Sequence, residues 1–169
     1  KWISGIILQG DFGISFAKQR PVKEIIISRV PITIFITFLT LIFTWVVAIP
    51  IGVYSAVKQH TFFDYVFTFI AFIGRSIPNF FLAMVLMYIF YASYGWSLGG
   101  LFSQEMLNEP WSIKRFLDLL KHLILPIIVI GTAGTAGMVR TLRGMVLDEL
   151  GKEYVQTARA KGLSERIVI

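Results

Sequence analysis

Residues able to support catalysis or metal binding are few in this sequence, and none stands at a useful spacing. His60 and His122 are far apart and lack ligand spacing, and the absence of cysteine removes thiolate metal sites and disulfides alike. No G-x-x-x-x-G-K-[ST] loop is present to cradle a nucleotide phosphate. No nucleophile–base pair or carboxylate dyad falls at helical spacing within an apolar segment. Neither cofactor nor metal nor catalysis is expected of the chain itself.

Three features remain that could act mechanically or in recognition. Arg75, in "IGRSIPNF", is a single charge well inside an apolar run, where a charge is costly unless paired, hydrated or able to reach the interface. Pro78 follows it and would free backbone carbonyls nearby. In "GTAGTAGM", Gly131, Gly134 and Gly137 cluster with Ala133, which forms a small-xxx-small pair with Gly137. Such density permits close backbone approach, either as a packed helix–helix interface or as a pathway helix that must bend. The third feature is polar. "KEYVQTARAKG", residues 152–162, reads as a short amphipathic helix in which Leu147, Leu150, Tyr154 and Ala158 recur at three or four residues. Asp148 and Lys152 stand at i,i+4 to support it, Gly162 suits a left-handed cap with Leu163 folding back, and Ser164 could start a further helix. Its apolar stripe is too meagre for a helix lying on lipid, so a protein partner fits better.

The elements that position these residues are membrane spans. The 169 residues are 56% hydrophobic and 15% charged, with mean hydropathy +0.72. A soluble domain of this length could not hide so much apolar surface. The net charge of +6 is read as lipid-facing loops rather than nucleic-acid binding. No charge interrupts the run between Arg29 and Lys58, a first span of about residues 30–57, with Pro31 in its first turn and Pro50 with Gly52 kinking it. A second span covers about 65–92 and a third about 122–147, extended by Arg140 and Arg143. The turn "KQHTFFD" joins the first two. Residues 93–121 link the second and third through a short interfacial helix, Ile113 to Lys121, capped by Ser112. The fold class is therefore an all-α membrane protein with three transmembrane helices. Charge chooses the orientation weakly, since residues 1–29 carry five basic residues and residues 140–169 carry six. No signal peptide is visible, and the chain, beginning at Lys1, reads as a piece of a longer one.

The segment "EYVQTARAKGLSE" resembles the cytoplasmic signature of binding-protein-dependent ABC importer permeases, whose general pattern is E-A-A-x-x-x-G. With the glycine on Gly162, that pattern's first three positions fall on Gln156, Thr157 and Ala158, so the glutamate is replaced. The departure is similar to the dipeptide/oligopeptide subfamily's acid–aromatic–V-x-T-A-R-A-K-G-L form, matched by Glu153 through Leu163. Two further stretches, "GDFGISFAKQRPVKEIIISRVPIT" and "SIPNFFLAM", also resemble that subfamily, so the likeness covers nearly the whole chain. Arg75 is less typical, and no family role is carried over to it.

The resemblance implies a type I importer-like permease, one of two membrane subunits in a prokaryotic plasma membrane. Its partners would be a second permease, two cytoplasmic ATPases and an external solute-binding protein delivering peptide; nucleic acid is not among them. Glu153, Tyr154, Gln156, Thr157, Ala158, Arg159, Gly162 and Leu163 would dock on an ATPase, making residues 148–169 a cytoplasmic coupling region. Residues 1–29 and 93–121 would face outward and Lys58–Asp64 inward, with a further span before this fragment and more after it. Other readings are a permease of the same kind for nickel complexes or another solute, and a secondary transporter or channel subunit. The latter would want ionisable or broken-helix sites at mid-membrane, and only Arg75 with Pro78 offers any. A non-transporting scaffold would explain the glycines but not the polar helix.

Overall fold

A computed structural model of the chain describes residues 2–169; the side chains of Trp2, Arg75 and Arg166 lie outside the described residues. The described residues are overwhelmingly helical and divide into two compact units, residues 2–39 and 40–169.

In the first unit, helix α1 (Trp2–Gln9) leads into a minimal hairpin of β1 (Ile14–Ser15) and β2 (Arg20–Pro21), paired antiparallel with Ile14 opposite Pro21. The Asp11 carboxylate accepts from the Gly13 amide at 2.9 Å and shapes the entry. Helix α2 (Val22–Val57) then begins earlier than expected. Pro31 consequently lies inside α2 and not in its first turn. One lost amide donor does not outweigh the helix-compatible residues on either side of it, and an apolar surround leaves the backbone no partner but itself.

The second unit holds the rest of α2, then α3 (Phe62–Ser76), α4 (Asn79–Tyr94), α5 (Ile113–Leu150), α6 (Glu153–Ala160) and α7 (Glu165–Val168), with a single 3-10 turn at Gln104–Met106. The second expected span is broken. Its two halves, α3 and α4, meet at a bend of 102°. Ile77 is extended (φ −82°, ψ 124°), the conformation a residue before proline prefers, and Pro78 serves as the N-cap of α4. The third span also differs: the expected interfacial helix and the span are one helix, α5, of 38 residues. Ser112 does cap it, its hydroxyl accepting from the Arg115 amide at 3.3 Å. No breaker stands between Lys121 and Pro126, so helix propagation carries straight through the expected boundary.

Among the described residues two helices, α2 and α5, are long and apolar enough to cross a membrane, and the bent α3–α4 pair makes a third if it counts as one span. At ~1.5 Å per residue, each of the two exceeds a ~30 Å hydrocarbon core. Internal packing is modest. Leu98, Leu125 and Val129 form a buried cluster with Leu82, Leu86 and Trp96 against it. Only 11% of the most apolar window of α2 is buried by the chain itself, so its surface belongs to lipid or to other protein.

Candidate functional site

The polar helix is built at the end of α5. There Gly151 donates its amide to the Leu147 carbonyl at 3.2 Å, and Lys152 takes an extended conformation (φ −70°, ψ 150°) as the N-cap of α6. The break between α5 and α6 removes Leu147 and Leu150 from the expected stripe. Val155, 4% exposed, is the buried residue of α6. The expected Asp148–Lys152 pair is replaced by Lys152–Glu149 at 2.6 Å, because the chain turns at Gly151 and the i,i+4 geometry of a continuous helix is lost. Glu149 also accepts from the Tyr154 hydroxyl, so one carboxylate ties α6 to α5 twice. Donating to Glu149 holds the Tyr154 hydroxyl above the usual tyrosine range and raises the Lys152 ammonium likewise.

The far end of α6 closes as the sequence suggests. Gly162 has φ +79°, and its amide donates to the Arg159 carbonyl at 2.9 Å while Leu163 donates to Ala158 at 3.3 Å. These two bonds define a Schellman turn, which requires the left-handed residue to be glycine or nearly so. Across it, the Arg159 guanidinium meets Glu165 in a two-pronged contact, Nε–Oε1 2.9 Å and Nη2–Oε2 3.2 Å. Glu153, Tyr154, Gln156, Thr157, Arg159, Gly162 and Leu163 are all exposed, and Ala158 is half-buried. The eight expected docking residues therefore share one small, doubly fastened motif.

The glycines separate. A Cβ on Gly131 would overlap the Phe43 ring, and one on Gly134 would stand 3.3 Å from Thr44 Oγ1, so both lie against α2. Gly137 has no atom of the described residues within 4 Å of a Cβ placed on it, so it takes no part in the α2 contact used by its neighbours. Two unanticipated glycines are tight. Gly52 would meet Leu142 Cβ at 2.9 Å and the Val139 carbonyl at 3.2 Å, and Gly74 would meet Thr132 Cγ2 at 3.1 Å. The signal for Gly52 was present as Ala48-xxx-Gly52-xxx-Ala56, all three buried on one face of α2. Arg75 belongs to the last turn of α3, with its side chain outside the described residues.

One charged contact was not anticipated. Asp64, 3% exposed, accepts through Oδ2 from the His60 amide at 3.1 Å and from Arg143 Nη2 at 3.2 Å. Thr61 caps α3 from below, its hydroxyl accepting from the Asp64 amide at 3.4 Å and donating to the Lys58 carbonyl at 2.7 Å. The Thr61-x-x-Asp64 spacing ahead of an apolar run is a capping signature, whereas the partner on α5 is invisible to local reading. Elsewhere on α5, buried His122 bonds the Asp118 carbonyl through Nδ1 at 2.8 Å, and Asp118 holds the Ser103 amide at 2.8 Å. Among the described residues, no group of three or more acidic, histidine or cysteine side chains could hold a metal ion.

Residues 48–169, from the small-residue face of α2 to the end of α7, match the family described as binding-protein-dependent transport system inner membrane component. The chain belongs to that family. Among its relatives, the oligopeptide transport system permease protein AppB of Bacillus subtilis is 40% identical over 171 residues, covering 100% of this chain and 52% of the relative. The dipeptide transport system permease protein DppB of Escherichia coli K12 is 35% identical, covering 96% and 53%. The glutathione transport system permease protein GsiC of Salmonella choleraesuis is 36% identical, covering 96% and 48%. The chain thus spans about half the length of these curated relatives. As an inner membrane component with two or three candidate spans, it is a multi-pass protein of the prokaryotic cell membrane.

Proposed function

We propose that this chain forms part of the permease subunit of an ATP-driven peptide importer, and that α6, its Schellman turn and α7 are the surface on which a cytoplasmic ATPase docks. The observation that carries this reading is the form of the motif: polar, exposed, fastened by Glu149 at one end and by Arg159–Glu165 at the other, and joined to the long helix α5 by a two-residue turn. A surface so held can pass on a displacement without absorbing it. Peptide is preferred as cargo over a nickel complex because the relatives are named for oligopeptides, dipeptides and glutathione. In this reading the subunit hydrolyses nothing; ATP is consumed by two partner ATPases, a second permease completes the pathway, and an external binding protein delivers the solute.

Two substitutions test it. Ala158→Asp puts a charge into the proposed contact, where an unsatisfied buried group costs about 1–3 kcal/mol or more, at least about five-fold in binding. Gly162→Val opposes the left-handed turn, a cost of about 1–2 kcal/mol for a side chain in that region. Both variants should insert and pair with the second permease, yet lose ATPase capture in pull-downs and uptake in sealed vesicles. Full capture and uptake in both would remove α6 as the docking surface.

A further inference from the structure

The short turn between α2 and α3 has almost no slack. Thr61 donates to the Lys58 carbonyl just past the end of α2, Asp64 accepts from the His60 amide, and His60 itself sits at φ +61°, outside the range most side chains adopt. A neutral side chain such as asparagine could satisfy the His60 amide. What needs the negative charge is Arg143, 79 positions away in sequence and on α5. Burying a carboxylate is costly unless it is paired, and the main structural use of such a pair is to fix one register between elements that apolar contacts alone would let slide. That register is the sensitive one. Arg143 lies about two turns before the end of α5, beyond which α6 begins. Gly52 packs against Val139 and Leu142 on the same stretch.

We propose that Asp64 and Arg143 are positioning residues for transport: their pair locks the α2–α3 turn to the end of α5, so that a displacement of α6 moves these helices as one piece. The inference rests on the coupling reading above. Without the pair, α6 could move with the tip of α5 while the α2–α3 turn stayed behind.

The test uses the full permease assembled with its ATPases, with spin labels at Gln59 in the turn and Met145 on α5. In the unsubstituted protein the label-to-label distance should be narrow and unchanged when ATP is added. Asp64→Asn keeps an acceptor for the His60 amide and removes the charge; Arg143→Gln removes its partner, and Arg143, already one-third exposed, can hydrate when left alone. Both should widen the distribution about two-fold and make it nucleotide-dependent, and should lower uptake per ATP hydrolysed about ten-fold with ATPase capture retained. Arg143→Lys should restore both readouts. A narrow, nucleotide-independent distance in both Asp64→Asn and Arg143→Gln overturns the proposal, as does loss of ATPase capture in both, which would make the pair a support of the docking surface itself. Full capture and uptake in both Ala158→Asp and Gly162→Val strike the coupling reading instead, and the two failures are told apart in one set of preparations.

Discussion

Gly52 and Gly137 look alike in the sequence, each in a small-residue helix, yet their surroundings differ sharply. At Gly52 even a methyl group meets Leu142 Cβ at 2.9 Å and a backbone carbonyl at 3.2 Å, and the carbonyl cannot swing aside. Gly52→Ala should therefore destabilise the helix packing by about 1–3 kcal/mol, the usual cost of overfilling a tight contact. Gly137→Ala meets nothing within 4 Å and should be neutral or stabilising by up to about 1 kcal/mol through helix propensity. Thermal inactivation of the two purified variants decides the matter; equal midpoints would contradict the packing. The sequence made the glycine-rich run of α5 conspicuous because three glycines stand close together. The stripe on α2 was present but less conspicuous, because its small residues are spread one per turn among large apolar ones. The Gly162 cap was legible because a left-handed turn is a local property, while the Asp64–Arg143 pair was not, because its two halves meet only after α3 and α5 have packed.

Helix boundaries divide in the same way. The start of α5 at Ser112 and the end of α6 before Gly162 follow from capping chemistry, and both stand where the residues put them. The union of an interfacial helix with a span has no local mark, since nothing in the sequence between Lys121 and Pro126 stops a helix. The sequence marks Pro78 as freeing carbonyls nearby, but the second span reads straight through it; neither the break nor its angle is legible there, because proline removes a donor without dictating direction. If the missing donor and the ring of Pro78 hold the α3–α4 bend, Pro78→Ala should let residues 62–94 straighten. Spin labels at Phe63 and Tyr91 should then move apart from their separation across the 102° bend. An unchanged distance would assign the bend to tertiary packing, with Leu82, Leu86 and Phe90 held against the cluster at Leu125 and Val129.

At the scale of the molecule, the large exposed apolar surface and the family agree that the chain lies inside a membrane. The side on which each loop lies can be measured directly. Cysteines at Gln59 and Gln156 should label only from the cytoplasmic side and one at Ser103 only from outside, since α5 crosses between Ser103 and Gln156. Labelling of Gln156 from outside in sealed cells would reverse the orientation. The same helix carries a consequence of scale. At ~1.5 Å per residue α5 is about 57 Å long, so a tilt of about 5°, taken as a rigid body, displaces one end relative to the other by about 5 Å. One end carries α6, and the other holds the Ser103 loop through Asp118. Moved as a rigid body, α5 would therefore act as a lever: a shift no wider than a side chain at one end would be met by a comparable one at the other, and no intervening segment need change its fold.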